Sequence, residues 1–301
     1  MPTARLIVNP TSGGGRGARI ARQASLELQR HGCQHEVLYS SAPADPATLA
    51  AQAVRDGCTL VVGLGGDGLV HAVANSLVGT PAMLGIIPAG RGNDIARGLG
   101  IPLRLTEACE LIAQYGAHAA QPVPRIDVGQ AHERYFLSVA LVGLAAEINR
   151  RSNLLGRFRF NAVYSALTVL SVFLSAPQTF TIRCDGHEQR CYSWLIAVGN
   201  AWSSGRGMQL VPGARVDDGI LDACVAHGMG KWELLLRAFP RVFNGSHIHL
   251  TGIESLRGRE MVIRSETPGD VYADGERLGP LPVTLRAIPR ALSVIRPAHN
   301  R

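Results

Sequence analysis

Short β-branched runs alternate with segments of helical period over the first third of the chain. Arg5 to Val8 reads as a strand, Ala18 to Arg30 as a helix closed by Gly32, and Glu36 to Tyr39 as a second strand. Pro46 to Arg55 follows as a helix, with Asp45 as its N-cap and Gly57 just past its end. Thr59 to Gly63 and Leu84 to Ile87 are further buried-strand runs, with a helical pattern at Val70 to Leu77 between them. Apolar strands separated by helices predict a parallel sheet with right-handed crossovers, a doubly wound α/β domain of nucleotide-binding type.

The pattern changes after Gln121 to Pro124, a stretch with two prolines. Strand pairs now dominate: Arg125 to Val128 with Tyr135 to Leu141, and Thr179 to Cys184 with Tyr192 to Val198, the latter joined by an Asp185-Gly186 hairpin turn. Short strands with Gly and Pro punctuation recur from Ile220 onward, and helical patterns interrupt at Asn161 to Ser175 and Lys231 to Val242. This predicts a division into an α/β domain over 1–123 and a β-rich domain over 124–301, with the interdomain cleft as the default ligand site.

Composition narrows the class. The 301 residues are 46% hydrophobic, 18% charged and 5% aromatic, which is globular rather than disordered. A net charge of +7 favours polyanionic partners, and with Lys231 the single lysine that charge is almost wholly arginine. Few aromatics are present for base stacking, so nucleic acid is not expected as a partner. Six cysteines without C-x-x-C spacing read as core thiols in a reducing cytoplasm. No signal-type segment opens the chain, and the longest apolar-leaning stretch, Ala162 to Ala176, is too short to span a bilayer.

Candidate chemistry lies in the turns. Asn9, Pro10, Thr11, Ser12 and Gly13 open a glycine-rich turn between the first strand and helix, where backbone N–H groups can meet an anion. It is neither G-x-G-x-x-G nor a Walker loop, whose lysine is absent here. Gly65, Gly66, Asp67 and Gly68 follow the third strand run, Thr59 to Gly63; three glycines around one Asp at the end of a parallel strand favour a phosphate and metal site over packing. Pro88 to Asp94 repeats the geometry, with Asn93 and Asp94 serving as helix cap, ligand contact or both. Asp217 to Asp222 and Asp274 to Glu276 are acidic turns. The first can offer two carboxylates and a carbonyl to a hard cation or be an ordinary Asp-Gly turn. The second is a hairpin turn that could supply a general base. His247 and His249 fit alternate positions of a half-exposed strand. Arg150, Arg151, Arg157 and Arg159 beside Phe158 and Phe160 suit either an anionic membrane surface or a solvated helix end.

Together these segments resemble the diacylglycerol kinase catalytic-domain family, which includes sphingosine and ceramide kinases and soluble bacterial lipid kinases. Asn9 to Gly13 is similar to its N-P-x-S-G opening, Gly65 to Gly68 to its G-G-D-G loop, and Pro88 to Arg97 to its P-x-G-T-x-N-D-x-A-R segment. Val211 to Asp222 and Asp274 to Glu276 resemble its acidic turn and its D-G-E. The resemblance implies an N-terminal ATP-binding domain of phosphofructokinase or NAD-kinase type and a C-terminal β-sandwich carrying the lipid, with phosphoryl transfer in the cleft. It implies Glu276 as general base and Asp67 as the residue positioning Mg-ATP. It implies Asp217, Asp222 and the Ile220 carbonyl as ligands of a structural magnesium ion, and Ser41 as a nucleotide contact. Leu69, Ala72 and Arg91 depart from the family's usual threonine, glutamate and threonine. Leu69 and Arg91 still fall in the expected nucleotide pocket, where Arg91 can offer a charge-assisted contact.

The expected function is therefore an ATP-dependent lipid kinase acting on a hydroxyl of a diacylglycerol-like or sphingoid lipid, cytoplasmic and peripheral at the membrane, with a homodimer left open. The rivals are a nucleotide- or lipid-binding sensor without turnover and a kinase of a soluble acceptor.

Overall fold

The computed structural model describes residues 4–42, 45–117, 123–154 and 161–297, which divide into two compact units. Unit 1 holds residues 1–128 and 289–301; unit 2 holds 129–288.

In unit 1 the elements run β1 (Ala4–Val8), α1 (Ser12–Gly15), α2 (Gly17–Arg30), β2 (His35–Tyr39), α3 (Asp45–Arg55), β3 (Leu60–Gly65), α4 (Asp67–Leu77), β4 (Met83–Pro88), α5 (Asp94–Gly98), α6 (Leu105–Ala117) and the start of β5 (Arg125–Ala131). Strands β2, β1, β3 and β4 pair in that order, all parallel. Every residue of β3 is buried, which is why the run Leu60–Gly65 carries no polar face. Helix α2 buries Ala21, Ala24 and Leu28, spaced to face the sheet together. The predicted doubly wound domain is thus present, with each element within two or three residues of its sequence signal.

Unit 2 continues with β6 (Arg134–Phe136), β7 (Val139–Gly143), α7 (Leu144–Leu154), α8 (Asn161–Leu174), β8 (Gln178–Cys184), β9 (His187–Gly199), β10 (Ser203–Ser204), β11 (Met208–Gln209) and β12 (Leu221–His227). A helical segment, α9 (Lys231–Glu233), a π-turn (Leu234–Ala238) and α10 (Phe239–Arg241), leads through a 3-10 turn (Ser246–His249) to β13 (Ile253–Gly258), β14 (Glu260–Ser265), β15 (Asp270–Ala273), β16 (Glu276–Pro280) and β17 (Val283–Val294). The antiparallel order is β16, β15, β7, β9, β8, β14, β17, and β12 joins β9 to β13. Phe136, Phe180, Ile196, Val225, Ile263 and Leu285 fill its core. Asp185 and Gly186, at φ 44° and 93°, make the expected hairpin turn.

Four sequence readings differ from the structure. The single strand expected from Tyr135 to Leu141 is two, broken at Leu137 and Ser138, because those two amides bond the Asp274 carboxylate instead of a neighbouring strand. The 231–242 helix widens to a π-turn in the middle, before Pro240, whose ring cannot fit the ordinary i−4 spacing. His247 and His249 lie in a 3-10 turn, not a strand, and His247 is buried with its Nε2 3.2 Å from the Leu210 carbonyl. Finally, the compact units part at 128/129, not at 123/124, and the chain returns to unit 1 from Pro289.

That return completes the parallel sheet. Ser293 and Val294 of β17 pair parallel to Met83 and Leu84 of β4. Buried Asp127 accepts the Arg290 N–H at 2.8 Å, and Arg125 donates to the Arg290 carbonyl at 2.9 Å. No helix of the described residues is long and apolar enough to cross a membrane. Leu292 is fully buried in this returning strand. Leu292→Ala should destabilise unit 1 by about 2–5 kcal/mol, measured by urea denaturation.

Candidate active site

The order β2, β1, β3, β4 contains a switch point between β1 and β3, where successive crossovers leave in opposite directions. Ligands of open α/β sheets bind outside the carboxyl ends of such strands. The loops after β1, β2, β3 and β4 all lie at that edge, and they and the first turns of the helices that follow carry the unit 1 residues expected to meet the nucleotide. After β1, Asn9 turns the chain: its Oδ1 accepts the Thr11 N–H at 2.9 Å and the Thr11 hydroxyl at 2.7 Å, while its own N–H reaches the Leu64 carbonyl at 3.3 Å. Pro10 and Thr11 lead into α1, which begins with Ser12 and Gly13. After β2, Ser41 is fastened to Asp45, whose Oδ2 accepts the Ser41 hydroxyl, the Ser41 N–H at 2.7 Å and the Ala42 N–H at 2.8 Å. Those three donors hold the Asp45 carboxyl below the usual range.

The loops after β3 and β4 touch through glycine backbone. A Cβ on Gly90 would stand 2.5 Å from the Gly66 Cα and 2.8 Å from the Asn93 Oδ1, so only glycine permits this approach. Asn93, at φ 55°, does not cap α5 with its side chain; Oδ1 accepts the Gly90 N–H at 2.8 Å and Nδ2 donates to the Gly90 carbonyl at 3.2 Å. The cap comes from the other loop, since Asp67 Oδ1 accepts the Ile95 N–H at 3.0 Å. Asp67 and Asp94 also converge, each with a carboxylate oxygen within 3.0 Å of where a Gly92 side chain would begin. Arg91 is exposed on the same loop. Leu69 is not at the surface: it is 7% exposed, and its side chain fills the space that Gly63 and Gly65 leave free on β3.

In unit 2, Asp274 and Gly275 form the two-residue turn between β15 and β16, at φ 54° and 86°. Buried Asp274 accepts the Leu137 N–H at 2.9 Å and the Ser138 N–H at 3.0 Å, and Asn153 at the end of α7 donates to the Gly275 carbonyl at 3.0 Å. Asn200 bonds the same 137–138 segment through the Leu137 and Ser138 carbonyls, and the Ser138 hydroxyl donates to the Ser203 carbonyl. The turn is therefore held rigidly, and it projects Glu276, the first residue of β16, into solvent. The structural weight of Asp274 was not visible in the D-G-E signal.

The turn before β12 places its acids against arginines. Arg257 sits opposite Asp222 in the β12–β13 register and bonds Asp222 Oδ1 at 2.8 Å and Asp218 Oδ2 at 2.7 Å, while Arg215 meets Asp217 at 3.2 Å. Burial and Asp218 push the Asp222 carboxyl up against the pull of Arg257, and its Oδ2 is buried without a hydrogen-bond partner. The orphaned Asp222 oxygen belongs to a carboxylate paired with a guanidinium that also serves Asp218. Among the described residues no three acidic, histidine or cysteine side chains gather as metal ligands. The carboxylates implied as magnesium ligands, Asp217 and Asp222, are here engaged by Arg215 and Arg257.

Unit 2 also holds an open-mouthed apolar pocket. Its walls include Leu141, Ile148, Val172, Leu235, Phe239 and Cys224, whose buried thiol is pushed up to about 12. Sequence gave no signal for it, because its walls come from α7, α8, β7, β9, β12 and the 231–243 segment. Arg150 and Arg151 do not form an open basic stretch: both bond Glu147, at 2.7 and 2.6 Å, and hold its carboxyl below the usual range. Arg157, Phe158, Arg159 and Phe160 lie outside the described residues.

Comparison with known proteins matches both halves. The diacylglycerol kinase catalytic domain matches residues 3–124, and the YegS C-terminal NAD kinase beta sandwich-like domain matches 138–296. A diacylglycerol kinase of Mycobacterium tuberculosis (strain ATCC 25618 / H37Rv) is 35% identical over 98% of this chain and 95% of its own length. A diacylglycerol kinase of Staphylococcus aureus (strain MRSA252) is 25% identical over 98% and 92%. A crystal structure of a diacylglycerol kinase from Bacillus anthracis str. Sterne has the same fold, at TM-score 0.75 and 21% identity over 99% of this chain and 97% of that one. The two matched domains together with these relatives make this a lipid kinase. The chain belongs to the diacylglycerol kinase family.

Two outcomes follow from the geometry. Asp274→Ala strands two buried amides and should lower stability by about 1–3 kcal/mol in urea denaturation. The Asp45 carboxyl has a lower pKa folded than unfolded, so its contribution is present above the ordinary aspartate value near about pH 4 and lost as pH falls through the folded value. Thermal unfolding of Asp45→Asn should accordingly depend less steeply on pH in the acid range than that of the parent.

Proposed function

We propose that the protein transfers the γ-phosphoryl group of ATP to a hydroxyl of a diacylglycerol-like or sphingoid lipid. The observation that carries this reading is the glycine-to-glycine contact of Gly66 and Gly90, which brings Asp67, Asp94 and the amides of two loops together at the carboxyl edge of a parallel sheet. Polyphosphate laid over Gly65, Gly66 and Gly68 would meet backbone donors, and the first loop, Asn9 to Gly13, would add the start of α1. Two converging carboxylates suit the magnesium ion that accompanies ATP, which would neutralise charge on the phosphates. Asp67, tied to Ile95, would hold its carboxylate in place for that purpose. Asn93 sets the Gly90 loop, Asp94 faces Asp67, and Arg91, exposed on that loop, would turn its guanidinium to a phosphate oxygen. Ser41 would contribute at the nucleotide's edge from its tether on Asp45. Leu69 acts from below, by filling β3's glycine gaps and so setting the loop's height.

The acceptor half rests on unit 2. The apolar pocket would take the acyl or sphingoid chain, since almost all its walls are hydrocarbon. Glu276 would accept the proton of the lipid hydroxyl as its oxygen bonds the γ-phosphorus and the bond to the β-phosphate oxygen breaks, releasing ADP. Asp274 would position Glu276 by clamping the turn. For Asp217, Ile220 and Asp222 we take Arg257 as the charge partner, with a structural rather than chemical duty.

The test is transfer of labelled γ-phosphate from Mg-ATP to a mixed lipid extract, resolved by chromatography. Glu276→Gln should reduce kcat by about 10²–10⁴-fold with little change in the KM for ATP, and Asp67→Asn should abolish labelling. Unchanged turnover in Glu276→Gln would remove the base assignment. ATP binding without any labelled lipid would point instead to a sensor, and label on a soluble acceptor to a kinase of NAD-kinase type.

A further inference from the structure

The exposed large apolar side chains of unit 2 are concentrated on two elements. Leu170, Phe173 and Leu174 of α8 and Trp232, Leu236 and Phe243 of the 231–243 segment are each 42–68% exposed. They form one surface: the Phe173 and Trp232 rings meet edge to face at 5.4 Å, and Lys231 Nζ donates to the Phe173 carbonyl at 2.9 Å. The inner faces of the same two elements line the apolar pocket through Val172, Leu234, Leu235, Ala238 and Phe239. Phe239 in turn meets exposed Phe243 edge to face at 6.0 Å, so apolar surface runs unbroken from pocket wall to solvent. Burial in water's presence would normally select against such a face, and patches of this kind mark interaction sites.

Its charge is basic. Lys231, Arg237 and Arg241 stand along the segment against one acid, Glu233, which pairs with Arg237 at 2.7 Å. Amphipathic segments with Trp, Phe and Leu on one side and Lys and Arg beside them seat in the interface of anionic bilayers. A second copy of the chain would bring like charges together on this face.

We propose that this face docks on an anionic bilayer, placing the pocket beside the acyl region so that the acceptor enters without crossing water. This rests on the lipid-kinase reading and adds the surface that delivers its substrate. It places membrane contact on α8 and the 231–243 segment.

Trp232 is a built-in reporter, since Trp194 is buried and Trp202 is half-buried. The full-length protein should bind phosphatidylcholine vesicles containing phosphatidylglycerol and not phosphatidylcholine alone. Trp232 emission should shift to the blue, brominated acyl chains should quench it, and salt should weaken the effect. Leu236→Asp with Phe243→Asp should reduce vesicle binding by at least about tenfold. Turnover of a vesicle-embedded acceptor should fall with it, while turnover of a short-chain acceptor dispersed as monomers stays unchanged. Vesicle binding undiminished in the double variant would overturn the proposal, as would a dimer in the parent that the variant converts to monomer. The two readings fail separately: vesicle docking with the Trp232 shift but no phosphorylated lipid upholds the surface and removes the kinase, whereas phosphorylated short-chain lipid without vesicle binding does the reverse.

Discussion

Parallel pairing of β1, β3 and β4 forces the loops that follow them to one edge, and much of what unit 1 can do depends on that constraint. Each strand end delivers backbone amides that no neighbouring strand can take, so the edge is rich in donors before any side chain is considered. Close approach of the loops then becomes possible only where side chains are missing. Gly66 against Gly90 is the point of contact, and it puts the Asp67 carboxylate within reach of the Ile95 amide. A single carboxylate thereby orders two loops and still faces Asp94 across Gly92. Position and electrostatics dominate phosphoryl transfer, so a loop pair fixed by backbone contact is a suitable basis for it.

Unit 2 meets a different demand, that of buried polar backbone. Where the path of Tyr135 to Leu141 leaves the sheet, the freed amides of Leu137 and Ser138 have to be satisfied, and Asp274 does so from a neighbouring hairpin. The carbonyls of the same two residues go to Asn200. The cost of the strand break is offset by a turn whose geometry cannot drift, and that turn carries Glu276. Rigidity at Asp274 and exposure at Glu276 are thus two consequences of one polar network.

Arginine does most of the electrostatic work in the chain, in keeping with the near absence of lysine. Its planar fork lets Arg257 serve Asp218 and Asp222 together, in a place where the resemblance implies a metal. Glu147 likewise gathers Arg150 and Arg151 into a local cluster, which draws charge inward on α7. Among the described residues, the basic character that remains beside exposed apolar surface lies on the 231–243 segment, which the sequence marks as helical but not as a surface.

Local signals decided a great deal. Strand and helix order in unit 1, the glycine turns after β1, β3 and β4, the Asp185-Gly186 hairpin and the D-G-E turn all follow from interactions between residues near in sequence, chiefly burial period, capping and permitted φ. The ordered motifs also carried the family. The pairing of Ser293 with Met83, the acceptor that Asp274 offers to Leu137, the inward turn of Leu69, the Arg257 bridge and the walls of the apolar pocket were decided by tertiary structure alone. Each of these joins residues brought together by the folded chain, and their energies depend on neighbours, satisfied hydrogen bonds and excluded water that a one-dimensional pattern does not contain.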